Sequence, residues 1–338
     1  MTGIPRLTIA FNLRAPSWGP PAPELYDAAV EMAAWADRTG FDEVFLSEHH
    51  VTDDGYLPSP IVMAAGIATR TERVRLRLSV VLATLMHPVH LAEDLAVLDL
   101  LARGRLDVAL GAGYRKIEFQ TFGVDWRKRP SMMVECVQTL RAAWTGEPFD
   151  FRGVRTRVLP RPFQPGGPPL SLAGTSAGAA RRAARLGLGF EPLGNLFQDV
   201  YLAELRSLGK QPPVPAAPAA VSHPAFVHIA RDPDAAWAAI GKHVLHNVNE
   251  YAAYATAKEL TPFKAVTDPD QLLESGAAKV VTPEECRALL RAIGPGGRFR
   301  LNPLEGGIPP ELGWESLRLF ETEVLAELRA AAPATGRS

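Results

Sequence analysis

The chain alternates between two kinds of segment. Short apolar or β-branched runs are followed repeatedly by stretches in which apolar residues recur every three or four positions, the periods of strand and helix. Strands that each hand over to a helix join their neighbours in parallel, because the crossover helix carries the chain back along the sheet. Residues 7–13 read as a strand, and residues 24–39 as a helix with Leu25, Ala28, Met32 and Trp35 on one face, stopped by Gly40. Residues 43–47, 74–82 and 106–110 are further strands; residues 60–70, a segment starting at Pro88 and residues 131–144 are the helices between and after them.

The second half is less regular. A Pro/Gly-rich connection at 160–169 precedes a strand at 169–173, a helix at 177–186, a short strand within 188–193 and a helix at 198–208. A Pro/Ala linker spans 211–220, a strand 225–230, and a helical pattern runs from 234 toward 260. Residues 261–278 are polar and irregular, and Thr282-Pro283-Glu284-Glu285 is a capping box opening a helix. A last strand at 298–302 and a helix at 312–328 close the chain. Length alone allows two domains in 338 residues, but eight alternations favour an α/β fold of the (β/α)8 barrel type, one domain over 1–338 with inserted loops, over an open doubly wound sheet.

Charge and composition narrow the partners. Thirty-six Lys and Arg nearly cancel 37 Asp and Glu, so no basic excess is present to hold a nucleic-acid backbone. Cys136 and Cys286 lie far apart, which fits neither a disulfide framework nor a metal knuckle and suits a reducing compartment. No apolar signal core opens the chain and no stretch reaches the roughly 18 apolar residues that span a bilayer, so a soluble, cytoplasmic protein is expected.

Barrel enzymes carry their chemistry just after the strands. After the second strand stands Ser47-Glu48-His49-His50; in extended chain Glu48 and His50 share a side and His49 takes the other. No HExxH or matching second ligand pair supports a metal, which leaves acid/base work or local hydrogen bonding for these histidines. After the third strand, residues 82–88 are apolar enough for a pocket wall, with His87 and Pro88 starting a helix. The fourth strand leads into Gly111-Ala112-Gly113-Tyr114, where a flat ligand or a phosphate could approach the backbone; a dinucleotide fingerprint would need Gly at 116, which is Lys, so a tight turn is the competing explanation. The fifth leads into Gly174-Thr175-Ser176-Ala177-Gly178, a phosphate cradle or an ordinary helix cap. The other histidines carry no paired carboxylate at telling spacing.

Several of these stretches together resemble the bacterial luciferase-like family of flavin-dependent monooxygenases: residues 40–50 ending Glu48-His49-His50, His87-Pro88-Val89 through Glu93-Asp94 to Leu98-Asp99, Arg103-Gly104-Arg105-Leu106 into Gly111-Ala112-Gly113, Phe122-Gly123-Val124-Asp125, Glu135, Trp144-Thr145-Gly146, and a stretch from Thr282 to Phe320. The resemblance covers nearly the whole chain. It implies a barrel, usually dimeric, that binds reduced flavin at the C-terminal mouth. His49 matches the catalytic first histidine of the motif, with Glu48 and His50 supporting. Ser79 and Val80 fall where the family has a non-proline cis peptide beneath the flavin ring, and Thr175 and Ser176 match its phosphate-binding turn. Gly111, Ala112, Gly113 and Gly174 complete the implied cofactor site.

One departure concerns the flavin. Luciferases carry Arg between a Cys and a Gly where this chain has Ala112, so a charged phosphate contact is absent there and Arg105 or Arg115 stands in for it. FMN is the first expectation and a deazaflavin coenzyme the second. The implied activity uses FMN reduced by a separate reductase and O2 to oxygenate a small-molecule substrate, with His49 as acid/base and residues 261–278 as a lid. The alternatives are a deazaflavin-dependent hydride transfer and a non-catalytic flavin-binding protein.

Overall fold

The computed structural model describes residues 4–192, 196–213, 224–254 and 264–330. Its strands are β1 (Arg6–Phe11), β2 (Glu43–Leu46), β3 (Arg75–Val81), β4 (Leu106–Gly111), β5 (Phe149–Phe151), β6 (Val154–Thr156), β7 (Leu170–Gly174), β8 (Gly189–Pro192), β9 (Phe226–Ile229), β10 (Ala278–Val281) and β11 (Arg298–Leu301). The chain divides into two compact units, passing from the first to the second within β2.

The first unit comprises Met1–Val44, Pro218–Ala253 and Phe263–Ser338. In it β1 pairs in parallel with β11, setting Leu7 opposite Phe299 and Ile9 opposite Leu301, all four buried. The helix Ala22–Thr39 opens with proline in its first turn and ends at Gly40, whose φ of 81° forms the left-handed cap that glycine adopts without a Cβ penalty. β9 and β10 form a second parallel pair, over which Phe226, Trp237, Ile240, Val244, Leu272 and Ile308 make one cluster. The capping box is present: the Thr282 hydroxyl accepts from the Glu285 N–H while the Glu285 carboxylate accepts from the Thr282 N–H.

The second unit comprises Phe45–Ala217 and Tyr254–Pro262. Its parallel strands run β3-β4-β7-β8. One face carries the buried row Leu78, Val108, Leu110, Leu172 and Phe190; the other carries Ser79, Ala109, Ser171 and Gly189 in register across the four strands. Such alternation follows from the two-residue period of a strand. The register slips between Ser79 and Val81, and the Ser79–Val80 peptide is cis. Trp144, fully inside, donates its indole N–H to the Ala92 carbonyl at 3.1 Å and so fixes the helix Arg129–Ala143 against the helix Pro88–Leu101.

The chain is therefore an α/β protein built on parallel strands, with departures at its short elements. β5 and β6 form an antiparallel hairpin ahead of the 160–169 connection, a short helix Lys116–Thr121 follows β4, and β10 begins where irregular chain was expected. Strands of three or four residues are too brief to show alternation. The sixth expected strand is Gly189–Pro192, and the helix from 234 is described as Pro233–Tyr254. Of the expected lid, residues 261–263 lie outside the described residues. In the remainder, residues 264–269 form neither helix nor strand and are mostly exposed, Val266 is held by the Asn249 side chain through both its N–H and its carbonyl, and a helix Asp270–Glu274 buries Leu272. Most of the 211–220 linker lies outside the described residues. No described helix is long and apolar enough to cross a membrane.

Candidate active site

β2 delivers Glu48, His49 and His50 at its C-terminal end, and they take different directions. The Glu48 carboxylate accepts from His50 Nε2 at 2.6 Å and from the Leu82 N–H at 3.0 Å, tying the end of β2 to the end of β3. Burial raises the Glu48 carboxyl against the opposing pull of His50 and the Leu82 N–H. This pair braces the loop, as the shared side of Glu48 and His50 led one to expect.

His49 is 6% exposed and has partners on both ring nitrogens. Nδ1 lies 3.0 Å from Glu118 Oε1 and Nε2 lies 3.2 Å from the Tyr114 hydroxyl. The rings of Tyr56, Tyr114 and Tyr254 surround the imidazole at centroid distances of 5.0, 5.4 and 5.1 Å. Glu118 sits on the short helix after β4, wholly buried, and its Oε1 also accepts from the His50 N–H at 3.1 Å and lies 3.3 Å from Arg115 Nη1. Burial pushes the Glu118 carboxyl up, but the bonds from His49 and His50 and the charge of Arg115 outweigh it and hold it below the ordinary carboxylate range. Its Oε2 is buried without a hydrogen-bond partner among the described residues.

The glycines after the strands are in close contact with protein. A Cβ on Gly111 would meet Val80 Cγ2 at 2.6 Å, one on Gly113 would meet the Phe119 ring at 2.8 Å, and one on Gly174 would meet the Ala179 Cβ at 2.5 Å. In each case the direction a Cβ would take points at a neighbouring side chain. Ala112 gives its carbonyl to the Thr84 hydroxyl at 3.0 Å, and Arg129 Nη1 donates to the Gly113 carbonyl at 2.6 Å, so the turn after β4 is held on two sides. Ser79 reaches Glu191 Oε2 at 3.3 Å, and Arg77 and Ser171 also bond the Glu191 carboxylate.

Neither arginine expected to replace the Ala112 position is available to a phosphate through its bonded donors. Arg105 gives its guanidinium to Ala102, Thr71, Val74 and Ala68 and is 9% exposed. Arg115 bonds the His50 and Val51 carbonyls and lies 3.9 Å above the Tyr254 ring. The helix Ala177–Leu186 fits an anion better. Ser176 caps it by accepting the Ala179 N–H at 3.2 Å, Thr175 and Ser176 are exposed, and a Cβ on Gly178 would meet only Ser176 Oγ, at 3.9 Å. The first N–H groups of a helix have no partner within it, and this end is open to a phosphate. Among the described residues no group of three or more His, Cys, Asp or Glu could hold a metal ion.

Glu118 and the hydroxyl of Tyr114 escaped the sequence reading. Glu118 lies 69 positions from His49 with no sequence spacing to connect them, and the short helix that presents it was itself not foreseen. Tyr114 was visible only as the residue that ends the Gly111–Gly113 turn.

A histidine held by a buried carboxylate follows one strand of this α/β chain, and an exposed helix N-terminus follows another. The family described as luciferase-like monooxygenase matches residues 7–315, and the chain belongs to that family. The oxygenase component of a flavin-dependent trigonelline monooxygenase from Acinetobacter baylyi is 29% identical over 157 residues, 44% of this chain and 43% of that protein. An F420-dependent glucose-6-phosphate dehydrogenase from Amycolatopsis mediterranei is 27% identical over 217 residues, 61% of this chain and 63% of that one. The matches span about half the length of several curated relatives. Among solved structures, the monooxygenase RslO1 from Streptomyces bottropensis superposes with a TM-score of 0.73 at 27% identity, covering 96% of this chain and 99% of that one.

Proposed function

We propose that this chain is the oxygenase of a two-component flavin monooxygenase, in which FMN reduced by a separate reductase and O2 oxygenate a small organic substrate on a closed, single-domain (β/α)8 barrel. When bound, the reduced flavin supplies the electrons for oxygen activation. Ser176, with the N–H groups of Ala177 and Gly178 and the exposed Thr175, holds the phosphate. Ser79, Val80 and Ala112 line the ring, and Gly111, Gly113 and Gly174 let the strand ends pack tightly around it. The observation that carries the reading is the buried Glu118–His49 pair at the end of β2: a carboxylate held ionised beside an imidazole makes the ring an acid/base group.

The F420-dependent relative supports a second reading, hydride transfer with a deazaflavin and no oxygen. Absorption spectra after mixing with FMN and with a deazaflavin, followed by O2 uptake with reduced FMN, separate the two. The first reading expects FMN binding and O2 uptake above that of free flavin; binding of neither cofactor overturns both. His49→Ala is expected to bind FMN as the wild type does and to lose turnover by about 100-fold or more. Full turnover in that variant refutes the role given to His49.

The partner is a second copy of the chain. The touching helices Pro60–Ala68 and Pro88–Leu101 leave Val62 (72% exposed), Val97, Leu100 and Leu101 on the surface, an apolar face that a homodimer would cover. Sedimentation at micromolar concentration tests it. A cytoplasmic location accords with two free, buried cysteines whose thiols burial pushes up to about 12.

A further inference from the structure

We infer that Tyr114, His49 and Glu118 form a proton relay whose outer group is the Tyr114 hydroxyl, so that the phenol, rather than the imidazole, exchanges the proton with the substrate. The inference rests on the acid/base reading of His49. Both imidazole nitrogens are engaged, Nδ1 with Glu118 Oε1 at 3.0 Å and Nε2 with the Tyr114 oxygen at 3.2 Å, and the ring is 6% exposed. Tyr56, Tyr114 and Tyr254 meet it edge-on. Tyr114 is only partly buried and stands at the turn after β4.

The inner end is fixed by charge. Glu118 Oε1 faces three donors, His49 Nδ1, the His50 N–H and Arg115 Nη1, so the neutral ring carries its hydrogen on Nδ1 and accepts the phenol hydrogen at Nε2. Among the described residues the rings of Tyr56 and Tyr254 also face the imidazole, and the His50–Glu48 pair adjoins it in the chain. In the base direction the Tyr114 O–H bond breaks toward His49 Nε2 while the phenol oxygen takes the proton of the substrate; the imidazolium is balanced by the Glu118 carboxylate. The acid direction is the reverse, and no electrons move.

Tyr114→Phe keeps the ring and removes the hydroxyl. In the protein without cofactor, 15N spectra of labelled histidine are expected to show His49 still protonated at Nδ1, with its Nε2 resonance moved to that of a free acceptor. With reduced FMN as probe, the O2 uptake in excess of that of free flavin is expected to fall by about 100-fold, within the range for general acid–base groups, at unchanged FMN affinity. Glu118→Gln serves if Tyr114→Phe does not fold. Its amide oxygen can still accept from His50 and Arg115, so the Nδ1–H form persists while the imidazole titrates at lower pH for want of the carboxylate charge. An unmoved Nε2 resonance in Tyr114→Phe, excess uptake within twofold of wild type, or an unshifted titration in Glu118→Gln overturns the relay. A wild type without excess O2 uptake refutes the flavin reading instead and leaves the spectra as the test of the hydrogen-bond chain.

Discussion

Replacing Glu305 by Gln should stabilise the protein at alkaline pH and hardly at all at pH 5. Glu305 follows β11 and accepts from Asn247 Nδ2; Asn247 Oδ1 in turn accepts from Arg14 Nε and Asn12 Nδ2, each at 2.9 Å. Burial pushes the Glu305 carboxyl from 4.5 up to about 7, against the pull of Arg14 and Arg300. The native state thus prefers the neutral acid, while the unfolded chain ionises at its ordinary value. Stability from this group is complete below pH 4.5 and is lost as pH rises to 7. A rise of that size corresponds to about 3 kcal/mol at ~1.36 kcal/mol per pH unit, of which about 2.5 kcal/mol falls between pH 5 and pH 8. Glutamine keeps the acceptor for Asn247 and cannot ionise. Urea unfolding of both proteins at pH 5, 6, 7 and 8 should give curves that coincide within about 1 kcal/mol at pH 5 and diverge steadily to about 3 kcal/mol at pH 8. A gap that does not change with pH refutes the reasoning, because it would mean that Glu305 is already ionised in the native state at pH 5.

Two further outcomes concern buried histidines and the Gly111 contact. His228 and His243 are held neutral by burial, each down to about 4, so their share of stability is lost as pH falls from 6.5 to 4, roughly 3 kcal/mol apiece; acid unfolding of His243→Asn should show a shallower decline than the wild type. Gly111→Ala would drive a methyl to 2.6 Å from Val80 Cγ2 and 3.0 Å from its Cβ, an overpacking expected to cost about 1–3 kcal/mol in urea unfolding, and a variant as stable as the wild type would show that β3 and β4 can separate at that point.

The long, strongly periodic elements were legible because a single property fixes each of them. The helix Ala22–Thr39 needed one apolar face and a glycine stop, and Thr282 and Glu285 needed only their three-residue spacing to cap a helix. β5, β6 and β10 carry three or four residues each, and their existence depends on what lies beside them. β10 is strand because Phe226 to Ile229 offers a parallel edge, a fact that no window of sequence around Ala278 contains. Charge pairing divides in the same way. Glu48 and His50 meet across two positions, so strand alternation put them on one side; Glu118 meets His49 only because the turn after β4 places its helix there.

The glycines show how far a sequence signal of this kind reaches. Gly111, Gly113 and Gly174 were expected to leave room for a flat ligand, and the direction that a Cβ would take at each points at Val80, Phe119 and Ala179. A missing Cβ records that something comes close, and close approach has the same sequence signature whether the neighbour is a ligand or another part of the chain. The segment near Gly178 differs, because a helix N-terminus offers N–H groups as well as space, and Ser176 takes one of them from Ala179. Room alone therefore argues weakly for a binding site, and room joined to unsatisfied donors argues strongly. Ser176, Ala177 and Gly178 join the two features, whereas at Gly111 and Gly113 the Cβ directions point at Val80 and Phe119.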